Sequence, residues 1–578
     1  MESIKNLPFK VEWLTHNIQH FHGARKDMKA MLQKYDTNDA IRFSQEEVIK
    51  YITDNYPQYI PHIERIKFYM TKEKETDATL HLFILWSSFN VRTREELYSF
   101  RETITLATGW YPYLTGQHID HHRRPNLNLV DEGLKKSMNK SEIEQLDGLG
   151  SLLDITNFCI GAGTSILLKT TSYDIVLDSG FKEDKLKTTL LRPNKKKWLF
   201  ISHSHGDHAG GLRKLMSNRE FLIAITPISL ELYLNAISGN EDHLPNLPGN
   251  LFSRVTPMWY RSLYRFKDGS SIETIPTYHF PGSMGYLFTF GNKETLFFSG
   301  DINLEPSYVP WNANRKSKST ESFALRNKLI DYGILEACFV GRSIGEKNSL
   351  NSFIEEIKKS ISNHRNHLLL TPPNDYGFFL YLHIYNEIIS RENGRSEVRI
   401  FLDHKLLLQL EIIEWRLKRK HTGSLDDRLI TFLKGRKTLA ESARVYDFSL
   451  NAKDNINQLY NRGIPIVFIL DYEKADTLSY ISSAAFKAME KPGLDISRIG
   501  KSATQKRDMK LLENRVVTDY SSPEWLLHSL ESTLSNFLLK SPHKFSNVIL
   551  FHNFPNRLRK FIEELKLNGY KGHIEPLN

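Results

Sequence analysis

Several short apolar runs in this chain end abruptly at polar residues: Trp198 to Ile201, Leu222 to Ile225, Leu296 to Phe298 and Val548 to Phe551. Runs of that length, bounded by Ser, Gly and His, predict buried strands. A further strand is predicted at Leu80 to Ser88, with a helix from about Thr93. Helical periodicity covers Ala24 to Tyr35 and Ser44 to Asn55, and in the second Ser44 caps while Glu47 completes a capping box. Helices are also predicted at Ala209 to Asn218 and Leu230 to Ser238, each beside a strand. Lys135 to Asp147 is mostly polar and charged and reads as a linker or a solvated helix. The pattern predicts an α/β protein with a smaller α+β domain at residues 1–150.

Composition narrows the class. A length of 578 residues accommodates roughly three or four domains. Hydrophobic residues at 40% and charged residues at 25% are those of an ordinary globular protein. No eighteen-residue apolar run occurs and Met1 to Asn6 does not open a signal peptide, so a cytoplasmic chain with no membrane partner is expected. The two cysteines, Cys159 and Cys338, exclude a disulfide framework and a thiolate-rich metal site. A net charge of +10, with pI about 9.1, modestly favours a polyanionic partner.

The candidate chemistry begins where the strand at Trp198 stops. His203, His205, Asp207 and His208 are four metal-capable side chains within six positions. Two residues apart at a strand end, His203 and His205 can point to one side. Gly206 permits a bend, and Asp207 and His208 open the next helix, aimed at a second point nearby. Imidazole and carboxylate donors suit zinc and similar metals, and two adjacent points suit two ions. Histidines also cluster at His16, His20 and His22 and at His118, His121 and His122 with Asp120, where a surface-loop origin is the plainer explanation. Trp259, Tyr260 and Tyr264 interleave with Arg261 and Arg265; packing of a long loop onto the core is favoured there over base stacking.

His203-Ser204-His205-Gly206-Asp207-His208 resembles the His-x-His-x-Asp-His signature of the metallo-β-lactamase fold. Ser165 to Leu168 and Asp174 to Gly180 resemble that family's opening strands, after the Gly161-Ala162-Gly163 turn. The resemblance implies an αββα sandwich and gives Asp178 the role of orienting a ligand histidine. It implies that His203, His205 and His279 hold one divalent ion, that Asp207, His208 and His552 hold another, and that Asp301 bridges them. Zinc is the expected metal, with manganese the alternative.

The 251 positions between Asp301 and His552 exceed what such a core needs, so a domain is inserted there. Tyr332 to Phe339, with Glu336 as its acid, resembles a strand of the β-CASP nucleases. Leu368 to Ser390, Val398 to Asp403 and Ile464 to Leu470 resemble the strands and first helix of their inserted domain, whose β-α alternation implies a parallel sheet. The expected organisation is an N-terminal α+β domain at 1–150, the core at 151–345, a β-CASP-like insertion at 346–520 and the closing core segment at 521–578. This chain departs from those relatives in two places. Val517 to Trp525 lacks the histidine expected near the leaving group, leaving Tyr520 or His528 as its substitute. Pro372 to Tyr376 lacks the arginine of a phosphate-gripping segment.

The resemblance implies hydrolysis of a phosphodiester in RNA or single-stranded DNA by a hydroxide shared between two ions, its pKa lowered to about 7. Asp207 would orient that hydroxide, and Glu336, Tyr520 and His528 complete the catalytic set. Two alternatives remain: hydrolysis of a small molecule (cyclic nucleotide, thioester or lactam), and a metal-bearing pseudoenzyme that binds nucleic acid. Residues 1–150 are the expected surface for a protein partner or a second copy.

Overall fold

In the computed structural model the described residues are 10–17, 43–72, 78–86, 100, 103–116, 134–160, 163–180, 183–217, 220–238, 252–304, 325, 328–342, 348–371, 376–389, 398–418, 429–430, 445–447, 452–470, 483–500, 516–521, 526–540 and 544–577. The helix expected at 24–35 lies outside them, as do His20, His22, His118, Asp120, His121, His122 and residues 372–375, while of the helix expected from about residue 93 the described residues, 100 and 103–108, are helical. The chain forms two compact units. One comprises Met1–Arg124 with Ser449–Asp454 and Asp476–Ile481, and the other Pro125–Phe448, Asn455–Ala475 and Ser482–Asn578.

The first unit holds a four-stranded sheet in the order β1 (Lys10–Asn17), β2 (Ile63–Lys72), β3 (Ala78–Trp86), β4 (Tyr111–Gly116). Helix α1 (Gln45–Asn55) carries the Ser44/Glu47 capping box read from the sequence. Its buried face, Val48, Ile49 and Ile52, belongs to one apolar cluster with Ile66, Phe68, Leu82, Ile84 and Trp110. The Trp110 indole donates to the Phe43 carbonyl at 2.7 Å, satisfying the polar atom of a buried ring.

The second unit is built on three sheets. Strands β5 (Leu152–Asn157), β6 (Ile166–Thr170), β7 (Tyr173–Leu177), β8 (Lys196–Phe200), β9 (Phe221–Ile225) and β10 (Val255–Pro257) form a six-stranded sheet, parallel from β7 to β10. Strands β11 (Leu263–Arg265), β12 (Ser271–Pro276), β13 (Met284–Thr289), β14 (Thr295–Phe298), β15 (Leu329–Glu336), β22 (Lys544–Phe551) and β23 (His573–Pro576) form a seven-stranded one. The two face each other through Trp198 and Phe200 on one side and Tyr286, Phe288 and Phe298 on the other. The Phe200 ring lies 5.1 Å from both Tyr286 and Phe288. Leu199, Ile201 and Ile223 cluster on the outer face of the first sheet with Leu212, Leu215, Tyr233 and Leu234. Phe297, Val548 and Leu550 do the same on the second with Leu534, Phe537, Leu558 and Phe561. The result is a helix–sheet–sheet–helix stack in a mixed α/β protein.

A short helix, α2 (Lys140–Glu144), precedes β5 and buries Ile143 in this core, so the polar segment before residue 150 belongs to the second unit. The predicted helix after the histidine motif is two pieces, α3 (Gly206–Ala209) and α4 (Leu212–Ser217). The break falls at Gly210-Gly211, where a Cβ on Gly211 would stand 2.3 Å from the Ser179 carbonyl oxygen. Helix α5 (Pro227–Ser238) follows β9.

The stretch between β15 and β22 supplies the third sheet of the unit, in the order β18 (Val445–Asp447), β17 (Arg399–Leu402), β19 (Ile466–Leu470), β16 (Asn366–Leu370), β20 (Leu494–Gly500), β21 (Val517–Ser521). Every pairing in it is parallel, and β16 and β19 are buried along their whole length, as continuous apolar runs require. Helix α6 (Asn348–Ser362) precedes β16, helix α7 (Tyr376–Ile384) follows it, and α8 (His404–Lys418) follows β17. Among the described residues no helix is long and apolar enough to cross a membrane.

Candidate metal centre

Four strands of the stacked sheets end at the same place. His203 and His205 follow β8, Asp301 follows β14, Glu336 ends β15 and His552 follows β22. Parallel pairing sets this register: Phe298 lies opposite Ile334, and Glu336 opposite Phe551. The backbone is bent to fit. Asp178 and His552 have φ of 59° and 68°, left-handed values that cost non-glycine residues about 1–3 kcal/mol each and are common at functional sites. Gly300 has φ 55°, and a Cβ on it would stand 2.5 Å from that of Ser202.

Among the described residues the candidate ligands form overlapping groups whose donor atoms lie within 4.8 Å of one another, among them His203/His205/His279, Asp207/His208/His552, His203/His208/Asp301 and His279/Asp301/His528. In the first, His279 Nε2 lies 3.0 Å from His205 Nδ1. In the second, His552 Nε2 lies 3.1 Å from Asp207 Oδ2. Asp301 stands between them: its Oδ1 is 3.1 Å from His208 Nε2 and from His552 Nδ1, while Oδ2 is 3.7 Å from His279 Nε2 and 4.0 Å from His203 Nε2.

The outer hydrogen bonds decide which ring nitrogen faces inward. The carbonyl of Leu527 can only accept, so His279 Nδ1 donates to it at 2.9 Å. His208 Nδ1 donates to Asp178 Oδ2 at 2.7 Å. The Ser202 hydroxyl gives its proton to Asp178 at 2.8 Å, so His203 Nδ1 donates to Ser202 Oγ at 2.9 Å. All three histidines therefore present Nε2 inward, the arrangement that orients metal-ligating imidazoles. His203 Nε2, His208 Nε2, Asp301 Oδ1 and His552 Nδ1 are buried and make no well-formed hydrogen bond. Buried polar atoms are rarely left so unless something else binds them. Nitrogen and carboxylate donors aimed at two points fit divalent metal ions of the zinc and manganese type.

In the metal-free protein, burial and the neighbouring histidines push the His203 and His279 imidazoles well below their ordinary value. Burial alone would raise Asp207 and Asp301, but His208 and His552 hold both carboxyls well below the usual range. Burial opposes protonation of His552 as well, yet Asp301 and Asp207 bring its pKa up to about 10.

The remaining sequence candidates separate. Buried Glu336 accepts from the Cys338 amide at 2.8 Å, and its Oε1 is 3.2 Å from His528 Nδ1. His528 Nδ1 is also 3.8 Å from Asp301 Oδ2, and its ring lies 4.6 Å from that of His279. The segment carrying it is pinned beside the centre: the amide nitrogen of the Asn303 side chain donates to the Leu526 carbonyl at 2.8 Å, and the Ser529 hydroxyl to Ile302 at 2.8 Å. Tyr520 is held elsewhere. Its hydroxyl donates to the Glu356 carboxylate of α6, and its ring lies 5.4 Å from Phe353. In the aromatic loop, Tyr264 is buried and Arg261 donates to the Tyr278 hydroxyl at 3.3 Å, so that loop packs onto the core. Ser202, the Leu527 carbonyl and Asn303 were not singled out from sequence; their placement depends on contacts with distant loops.

Fold and site together define a mixed α/β protein with buried histidine–aspartate clusters able to hold metal ions. A family model described as Anti-Pycsar protein Apyc1 matches residues 157–320. The curated protein "Probable RNase MJ4" of Methanocaldococcus jannaschii is 24% identical over 315 residues, which are 51% of this chain and 66% of that protein. A crystal structure titled as a protein of unknown function from Enterococcus faecalis V583 aligns with 73% of this chain and 97% of its own at 13% identity, with a TM-score of 0.46.

Proposed function

We propose that this protein is a metal-dependent phosphodiesterase of the metallo-β-lactamase fold with a β-CASP-like insertion, acting on RNA or single-stranded DNA. The position of Asp301 carries the proposal: one carboxylate faces two separate triads, through Oδ1 on one side and Oδ2 on the other. A carboxylate so placed would serve as a ligand to both ions. His203, His205 and His279 would hold the first ion, and Asp207, His208 and His552 the second.

Two divalent ions bound there supply a water nucleophile activated near neutral pH and neutralise charge on the phosphoryl oxygens. Asp178 and Ser202 fix the ring orientations and so the shape of the centre. The Asp207 side chain is 34% exposed against 2% for Asp301, so it is the acid that can orient a nucleophile arriving from solvent. Burial opposes protonation of His528, but the carboxylate of Glu336 raises its pKa above the ordinary imidazole value. His528, its Nδ1 3.2 Å from Glu336 and 3.8 Å from Asp301, stands where a proton donor to the leaving oxygen would be needed.

The name of the M. jannaschii relative supports a ribonucleic substrate, and the Apyc1 model spans six of the seven proposed ligands. Cyclic nucleotides are phosphodiesters as well and belong in the same assay. Purified protein loaded with zinc or manganese should cleave end-labelled single-stranded RNA or DNA, and His205→Ala should reduce cleavage to background. Turnover undiminished in His205→Ala would contradict a metal-centred reaction. Hydrolysis of a cyclic nucleotide with intact oligonucleotides would move the substrate to the small-molecule class.

A further inference from the structure

The rim beside His552 carries groups that the metal chemistry does not use. Phe554, two residues beyond that histidine and immediately before helix α9 (Pro555–Leu567), is 67% exposed. The guanidinium of Arg557, one turn into the helix, lies 5.7 Å from the centre of its ring. The stem of Arg557 crosses Gly341, where a Cβ would stand 3.3 Å from the arginine's own Cβ. The next residue, Arg342, places its guanidinium 5.8 Å from the Phe339 ring, and Phe339 lies 5.8 Å from the His528 ring. Asn553 joins the two loops by donating to the carbonyls of Ala337 at 2.9 Å and Val340 at 2.7 Å. An exposed aromatic ring and two guanidinium groups therefore share a cross-braced rim, tied to His552 through the chain and to His528 through Phe339.

We propose that Phe554, Arg557 and Arg342 form a nucleotide subsite for single-stranded nucleic acid, with a base stacked on Phe554 and the phosphate next to the scissile one held by the arginines. It rests on the phosphodiesterase reading of the metal centre. An aromatic face accepts any base, and guanidinium groups match phosphate oxygens, so the rim selects for a strand without selecting sequence. A substrate ending at the scissile phosphate would not reach it.

The test is equilibrium binding of a fluorescent, phosphorothioate-linked uridine oligomer to the metal-loaded full chain, beside hydrolysis of methyl p-nitrophenyl phosphate. Phe554→Ala should weaken oligomer binding about tenfold. Arg557→Gln should make log Kd less steep in log salt by about 0.7, the effect of losing one phosphate contact on a single strand. Both should affect the small ester far less than the oligomer. Unchanged oligomer affinity and salt slope, or an equal loss on the small ester, overturns the subsite. Phe554-dependent oligomer binding by a protein that hydrolyses no phosphodiester would keep the subsite and sink the phosphodiesterase reading. Hydrolysis of the small ester without oligomer binding would do the reverse.

Discussion

Asp178 touches neither triad's interior, yet two of the clustered histidines take their orientation from it. It accepts directly from His208 and reaches His203 through Ser202, and losing such a partner typically costs about 10–100-fold in metal affinity. This much was legible in the sequence, because His203 to His208 is a local motif and Asp178 ends a recognisable apolar run. The proton donor was not. Val517 to Trp525 lacks a histidine, so Tyr520 stood ahead of His528, which reads from the sequence as a helix-face residue. Long-range contacts separate them, since Leu526 to Ser529 is tied to residues 302–304 while Tyr520 bonds Glu356. His528→Gln should therefore slow cleavage of an ordinary diester by about 100-fold but of one with a good leaving group by much less. Tyr520→Phe should change both less than about threefold. Equal effects of His528→Gln on the two diesters would remove it as the acid.

At the scale of elements, strands were easier to read than the ends of helices. Buried parallel strands are unbroken apolar runs, so β8, β9, β16, β17 and β19 fall close to where the pattern puts them. The helix after the motif is split because a backbone contact at Gly211, invisible in the pattern, leaves no room for a side chain. His367 shows what else a strand can hide. It sits buried in β16 with Nδ1 3.0 Å from Ser360 Oγ, and burial pulls its pKa from 6.5 down to about 4. The folded protein keeps it neutral while the unfolded chain takes up a proton, so stability is lost as pH falls from about 6.5 to about 4. The loss should approach about 3 kcal/mol. Urea midpoints of wild type and His367→Gln should converge as the pH is lowered through this range; a constant gap would show that His367 takes up its proton at the same pH in both states.

Over the whole second unit, the stacked sheets and the parallel sheet meet at a buried ion pair. Arg416 of α8 donates to Glu231 of α5 at 2.8 Å, with side chains 1% and 0% exposed. Its partners are 185 positions apart, so the sequence gives no hint of it. Arg416→Met should destabilise the unit by about 3–5 kcal/mol by removing the guanidinium that faces a buried carboxylate. Pairing it with Glu231→Leu should recover most of the loss, as read from thermal midpoints; a double variant no better than the single would mean that packing dominates. Distance in sequence alone does not hide a residue of the centre. His552 was found 251 positions from Asp301 because it too ends an apolar run, whereas the loops bracing it leave no pattern.

Metal content, measured by elemental mass spectrometry, decides whether Asp301 joins two metal-binding triads. The zinc-loaded full chain should hold two ions, and His205→Ala and His552→Ala should each lose about one, from different triads. A wild-type chain that holds no metal, or variants that both retain two ions, would contradict the account.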